Sequence, residues 1–246
     1  MDIQLYVLFL IAAVALGASL VQSITGFGFG IVAMIFLPRL LQFTEANVLS
    51  TMLSMLTSIV VVIPLLKIVS YKNLIFPLIG SVCASYVAVN FAKSSQNSFL
   101  TLLLGFALFF LSIYFFFFSG KIKIRPTFYA GLIAGVLSGI LGGLFSIGGP
   151  PVVIYYMQSE KDTQKYLATL SAYFVISDII SIFIKAASGF VTLNVLYCFV
   201  VGIVGMLLGS LAGGKVRSHA NTTVIKKAVY GFMALSGIVN VVTSLI

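Results

Sequence analysis

Two glycine-rich stretches of the sequence interrupt apolar runs and have the composition of an anion-binding site. The first is QSITGFGFG at residues 22–30, and the second is LFSIGGPP at residues 144–151. A short apolar segment follows each stretch, which predicts helices that begin at about Phe29 and about Pro151. The first N–H groups of a helix lack intrahelical partners, and the helix dipole adds partial positive charge there. Glycine lets these N–H groups approach a ligand closely, so we expect both stretches to bind the same small anion.

Polar side chains beside the glycines could add hydrogen bonds to that anion. Thr25 and Ser146 carry hydroxyls, Gln22 carries an amide, and proline is favoured at the first helical position. The predicted substrate-binding residues are Gln22, Thr25, Gly26, Gly28, Gly30, Ser146, Gly148, Gly149, Pro150 and Pro151. The alternative is that the glycines only allow the chain to pack tightly at these points.

Asp178 is the one acidic residue well inside an apolar segment, at residues 167–187. An ionisable residue inside a membrane is costly, and its default interpretation is functional. Asp178 is therefore predicted to carry a coupled proton or to coordinate a coupled cation such as Na⁺. The alternative is a structural carboxyl that is hydrogen-bonded to Ser177, Ser181 or a neighbouring helix.

The sequence lacks the residue sets of enzymes and of metal or nucleic-acid sites. It has one histidine, its two cysteines are far from each other, and it contains no nucleotide loop of the Walker type. The formal charge of +9 is spread between apolar runs, so it does not form the basic stripe that nucleic acid needs. We predict a protein that is not an enzyme, with no cofactor, no metal and no nucleic-acid partner.

The chain that positions these residues is too apolar for a soluble protein. It is 61% hydrophobic and only 8% charged, against about 25% charged in ordinary soluble domains. Its apolar segments are 5–23, 26–38, 47–66, 74–92, 98–118, 127–145, 147–158, 167–187, 193–213 and 225–245. Most approach the length that a helix needs to cross a bilayer, whereas 26–38 and 147–158 are predicted half-helices. The fold class is therefore an all-α polytopic membrane protein.

The two halves of the chain are related to each other. A shift of 121 residues places Gly28 on Gly149. The same shift places the row Ala84, Ala88 and Ala92 on the row Gly205, Gly209 and Gly213. We predict two transmembrane repeats of about five helical segments each, 1–120 and 121–246, within one integral membrane domain. Each repeat would have a broken helix or re-entrant hairpin at its glycine-rich stretch.

The basic residues predict how the repeats are oriented. If each half crosses the membrane an odd number of times, eleven lysines and arginines share one side, and only Arg39, Lys93 and Lys185 lie on the other. The positive-inside rule then makes the repeats inverted, with both termini on the non-cytoplasmic side. Irregular backbone cannot face lipid, so the two glycine-rich tips would meet near the midplane. Whether 5–38 and 127–158 are full spans or re-entrant hairpins stays open.

The sequence resembles the sulfite exporter TauE/SafE family, also called the four-toluene-sulfonate uptake permease family. The resemblance rests on residues 22–30 and 37–38 (LP) in the first half. In the second half it rests on 135–139 (GVLSG), 148–151 (GGPP) and 166–169 (YLAT). It implies a transporter of the bacterial-type plasma (inner) membrane for a small sulfur-containing anion such as sulfite or an organosulfonate. The chain departs from the commoner pattern of three adjacent glycines in each half. This departure bears on which anion is the substrate and not on the transporter class.

Together these observations predict a secondary transporter in the lipid bilayer, with its anion site near the midplane between the two tips. Coupling to H⁺ or Na⁺ would run through Asp178. The alternatives are a passive anion channel or exporter, in which Asp178 is structural, and a non-transporting membrane scaffold.

Overall fold

The computed structural model describes residues 5–118, 125–216 and 222–245. Within these ranges the chain forms helices and no strands. The α-helices are α1 (Leu5–Thr25), α2 (Phe29–Phe36), α3 (Phe43–Val62), α4 (Tyr71–Ser94), α5 (Asn97–Phe118), α6 (Phe128–Phe145), α7 (Gly149–Ser159), α8 (Thr163–Ala187), α9 (Leu193–Val216) and α10 (Thr222–Leu245). Short 3₁₀ turns follow α2 and α3, at Leu37–Arg39 and Ile63–Ile68.

Eight of the described helices are long and apolar enough to cross a membrane, judged by length and composition. They are α1, α3 with its 3₁₀ extension, α4, α5, α6, α8, α9 and α10. The remaining two, α2 and α7, have 8 and 11 residues. Large apolar side chains such as Phe9, Phe110 and Phe183 are exposed on the outside of the bundle, where lipid would cover them. The prediction of an all-α, multi-pass membrane protein is confirmed.

The helices of the second half follow those of the first half in the expected register. A shift of 121 residues brings the ends of α1–α4 to within four residues of the ends of α6–α9. The predicted boundary between the repeats, at residues 120 and 121, lies outside the described residues. So do Lys121, Lys123 and Arg217, three of the basic residues assigned to the cytoplasmic side.

Rows of small residues join the two halves. Helix α4 packs along α6, and α1 packs along α9, so each pair takes one helix from each half. A Cβ atom added at Gly135 would collide with the Pro77 carbonyl, and one at Gly205 would collide with the Ala12 carbonyl. Glycine therefore permits a close approach of helix backbones, which is the main packing device between helices in lipid.

Two buried carboxylates also bridge the halves, at opposite ends of α3. At the start of α3, the Thr192 hydroxyl donates to Glu45 Oε1 over 2.6 Å. Beyond the other end of α3, Asn73 Nδ2 donates to Glu160 Oε1 over 2.7 Å. Lys165 lies 3.5 Å from the other oxygen of Glu160. A helix of this length separates the two bridges by roughly 30 Å.

Lys185 was counted with the basic residues of one membrane side, but the structure buries its side chain within the protein. Lys185 lies in the last turn of α8, but its side chain is 0% exposed. Its ammonium donates to Thr51 Oγ1 over 2.6 Å and to the Gly142 carbonyl over 3.2 Å. A lysine so close to a helix end would ordinarily extend to the membrane surface. Here the neighbouring helices α3 and α6 enclose it instead.

Candidate functional site

The two glycine-rich stretches lie directly against each other. A Cβ atom added at Gly30 would collide with the backbone carbonyl of Ser146. One added at Gly149 would lie 3.4 Å from the Cβ of Phe27. The structure therefore brings together two segments that are far apart in the sequence and leaves no room for a side chain at Gly30, where they approach most closely.

Local backbone chemistry explains why the helices end where they do. Gly26 and Gly28 have φ angles of 86° and 108°, a left-handed region that glycine enters without steric cost. Gly28 is the residue that caps α2. In the second half Ser146, which follows α6, adopts the left-handed backbone conformation with a φ of 58°. The Ile147 N–H donates to the Leu141 carbonyl over 3.2 Å. This is the pattern by which many helices terminate.

A polar cavity lies between the two tips. Its volume is about 40 Å³, measured as the space open to the centres of water molecules, which is room for roughly three waters. Seven helices contribute to its wall. Eight hydroxyl side chains line it: Thr51, Ser54, Ser81, Ser85, Ser138, Ser146, Ser177 and Ser181. Hydroxyls can donate or accept, so the wall can be arranged to solvate an ion of either sign.

Most of the predicted site residues line this cavity. They are Gln22, Gly28, Gly30, Ser146, Gly148, Gly149, Pro150 and Asp178. Thr25, Gly26 and Pro151 are not in the wall. The Thr25 hydroxyl lies 2.6 Å from the Phe27 carbonyl, and a Cβ atom at Gly26 would lie 2.6 Å from the Leu167 side chain. In this structure Thr25 and Gly26 support the shape of the first tip.

Helix α2 offers the cavity more N–H groups than α7 does. It begins at Phe29, as predicted, and Phe29, Gly30 and Ile31 all line the cavity. In the described part of the chain their N–H groups bond to no carbonyl, whereas Val32 N–H donates to the Gly28 carbonyl over 3.1 Å. Helix α7 begins at Gly149, two residues before the predicted start. Its prolines carry no N–H group, so they shape the second tip without donating to a ligand.

Asp178 presents an unsatisfied oxygen within the described structure. Its carboxyl lines the cavity, and Oδ2 is buried with no hydrogen-bond partner there. Two of the partners considered from the sequence do not satisfy it, because Ser177 donates to the Phe174 carbonyl over 3.3 Å and the Ser181 hydroxyl is itself unpaired. The neighbouring helix α3, the third partner considered, supplies the Ser54 hydroxyl to the carboxyl, and Lys185 interacts with the carboxyl electrostatically.

Thr51 and Lys185 are among the residues that the sequence reasoning missed, whereas Ser54 was considered as a residue that could line the same cavity and does line it. Thr51 Oγ1 lies 3.0 Å from Ser146 Oγ, so it links the buried ammonium of Lys185 to the second tip. One available signal was the spacing of Asp178 and Lys185, seven residues apart on α8. Two helical turns place residues on the same face, so the two charges could have been expected near one site. The described residues contain no cluster of histidine, cysteine or acidic side chains that could hold a metal.

Comparison with known proteins agrees with this architecture. A family model described as sulfite exporter TauE/SafE matches residues 11–239, which include part or all of every helix from α1 to α10. A search of curated proteins and a search of solved structures each found no significant match. The family consists of membrane transporters of the sulfite- or sulfonate-exporter type and not of enzymes, and membership of such a family implies a small anionic substrate. The chain belongs to the sulfite exporter TauE/SafE family.

Proposed function

We propose that the protein is a secondary transporter that moves a small sulfur-containing anion across a bacterial-type inner membrane. The observation that carries the proposal is the meeting of the two glycine-rich tips around one polar cavity. Gly30 touches the Ser146 backbone there, and the N–H groups that begin α2 are available to a ligand. The cavity would be the substrate site, near the midplane of the bilayer.

The lining of the cavity favours an anion. Backbone N–H groups at the start of α2 can only donate, and the hydroxyls in the wall can turn their protons toward a negative charge. A volume of about 40 Å³ suits a compact oxyanion such as sulfite. A bulkier organosulfonate would need a conformation with a wider cavity. We therefore rank sulfite first among the substrates to test.

Alternating access would come from movement of one repeat against the other. The shared register of α1–α4 and α6–α9 and the pairing of each half's helices with those of the other half support two inverted repeats. Helices α2 and α7 are too short to span the hydrocarbon, which supports re-entrant hairpins at the tips. Both termini would then lie on the non-cytoplasmic side.

Asp178 is proposed to couple transport to H⁺ or Na⁺. Its buried, unpaired Oδ2 faces the same cavity as the anion would, and a lone carboxylate in a membrane interior is costly. Uptake of a proton removes that cost, and a sodium ion could use the carboxylate together with the hydroxyls of Ser54 and Ser181. Either ion would also offset the charge of the substrate.

The test is uptake of labelled sulfite into sealed vesicles that contain the purified protein. The wild type should concentrate sulfite, and a protonophore or the removal of sodium should abolish the concentration step. Transport that equilibrates sulfite and is indifferent to both treatments would favour the passive channel. No transport of sulfite, sulfate, sulfonates or carboxylates would refute the transporter proposal.

A variant at the tip tests where the substrate binds. In Gly149→Ala the new methyl lies in ordinary contact with Phe27 at 3.4 Å and Phe174 at 3.5 Å, so the protein should fold with a smaller cavity. We expect sulfite transport to fall by about tenfold, the factor that corresponds to about 1.4 kcal/mol of crowding. Gly17→Ala is the matched control, because nothing lies within 4 Å of its Cβ position. Equal transport by both variants would mean that the cavity is not the site.

A further inference from the structure

Lys185 is a buried lysine whose ammonium is in direct contact with no carboxylate in the described residues, and its electrostatic partner, Asp178, lies two turns away on the same helix. The Lys185 side chain is 0% exposed. Within the described ranges the only ion pair closer than 4.0 Å joins Lys165 to Glu160, so no carboxylate contacts the Lys185 ammonium. Its two hydrogen-bond acceptors, Thr51 Oγ1 and the Gly142 carbonyl, are neutral. Burial of a cation costs free energy unless nearby charges or hydrogen bonds compensate it. We therefore expect the buried Lys185 to have a function.

The ammonium is connected to the cavity through two hydroxyls. Lys185 Nζ donates to Thr51 Oγ1 over 2.6 Å, and Thr51 Oγ1 lies 3.0 Å from Ser146 Oγ in the cavity wall. Thr51 Oγ1 also lies 3.0 Å from the Asn47 carbonyl. The threonine hydroxyl has one proton, so it can donate either to the Asn47 carbonyl or to Ser146, but not to both.

These two choices give the cavity opposite polarity. If Thr51 donates to the Asn47 carbonyl, Ser146 must donate to Thr51, and only oxygen lone pairs of Ser146 face the cavity. If Thr51 donates to Ser146, the proton of Ser146 is free to point into the cavity. The field of a positive charge favours hydroxyl dipoles whose hydrogens point away from it, and hydrogen-bonded groups in a chain polarise one another. The ammonium therefore favours the second arrangement once an anion is present to accept the Ser146 proton.

We infer that Lys185 is a positioning residue that, through Thr51, orients the Ser146 hydroxyl to donate to the bound anion. The inference rests on the proposed anion site. It adds to that site the positive charge of the Lys185 ammonium, which lies behind the residues that line the cavity. It also explains how the site can contain Asp178, since Lys185 lies two turns further along the same helix and offsets the carboxylate. Without Lys185 the nearest fixed charge would repel the substrate.

The magnitude follows from distance. Two hydrogen bonds separate Lys185 Nζ from Ser146, so an anion bound to Ser146 lies about 8 Å from the ammonium. At an effective dielectric constant of about 20, we expect loss of the Lys185 charge to weaken anion binding about 30-fold. The experiment measures the Kd of sulfite for purified Lys185→Met in detergent by calorimetry. Lys93→Met, which removes an exposed lysine near the end of α4, is the matched control and should bind like the wild type.

Variants of Thr51 separate an electrostatic role from a structural one. Thr51→Ser keeps the hydroxyl and should retain the wild-type Kd, whereas Thr51→Val interrupts the chain and should weaken binding by about tenfold, the loss of one charge-assisted hydrogen bond. If the two residues act through one chain, the double variant Lys185→Met/Thr51→Val should bind no more weakly than Lys185→Met alone.

The outcomes distinguish the two proposals. A wild type that binds none of sulfite, sulfate and methanesulfonate refutes the anion site and, with it, this inference. A wild type that binds sulfite, with folded Lys185→Met within twofold of it, leaves the anion site intact and refutes the role of Lys185. If Lys185→Met does not fold, Thr51→Val decides: affinity equal to that of Thr51→Ser overturns the inference, and the expected loss supports it.

Discussion

Replacing Gly30 with alanine perturbs the closest contact between the two tips. The added Cβ would overlap the Ser146 carbonyl oxygen and would lie 2.8 Å from its carbon. Both atoms belong to backbone, so neither can rotate away as a flexible side chain would. Crowding of this kind costs up to about 3 kcal/mol. Alanine recovers at most about 1 kcal/mol through its better helix propensity, which leaves a net loss of about 2 kcal/mol.

The assay is thermal unfolding of the purified variant in detergent, with sulfite uptake as a second readout. A loss of about 2 kcal/mol corresponds to a fall in Tm of roughly 4–8 °C for a chain of this length. Gly17→Ala has the same chemical change in open space, and it should raise Tm by about 2–4 °C through helix propensity alone. The two variants should therefore differ by roughly 6–12 °C. If Gly30→Ala unfolds at or above the wild-type temperature, the tips do not touch as described.

Two further predictions concern coupling and the packing of the halves. Asp178→Asn should abolish sulfite accumulation driven by a proton or sodium gradient yet retain downhill exchange. The reason is that an amide side chain takes up no proton near neutral pH and is a weak cation ligand. Gradient-driven uptake equal to that of the wild type would contradict a coupling role. Gly209→Ala should lower stability by about 1–3 kcal/mol in thermal unfolding, because the new Cβ meets the Leu16 carbonyl on α1. Gly214→Ala, with nothing within 4 Å, is its control, and equal Tm values for the two would show that α1 and α9 do not depend on this close approach.

The helices and their interruptions are predictable because their signals are local. Long apolar runs predict spans, and glycines at residues 26 and 28 predict the left-handed turn that the structure has there. The start of α2 at Phe29 follows directly. The start of α7 is less well defined, since Gly149, Pro150 and Pro151 are all acceptable in a first turn, and the structure begins that helix at Gly149.

The wall of the cavity is not predictable in the same way. Thr51 and Lys185 reach the site because particular faces of α3 and α8 turn toward each other. A helix that is apolar on every side carries little amphipathic pattern, and the sequence alone does not reveal which face turns inward. The tips were found because glycine marks a backbone feature, whereas the hydroxyls and the lysine depend on tertiary packing. That difference explains why the tips in the cavity wall were predicted and the other wall residues were not.

The two carboxylate bridges have a consequence for the populations of conformations. Because Glu45–Thr192 and Glu160–Asn73 lie at opposite ends of α3, a movement that opens one end of the protein can leave the bridge at the other end intact. Breaking one hydrogen bond to a charged group costs about 1.5–3 kcal/mol, so each singly open state would hold roughly 1–10% of the molecules. A state open at both ends must break both bridges, and its population falls to the order of the product of those fractions. If the protein alternates access as proposed, simultaneous opening, which would let ions leak across the membrane, would therefore be rare.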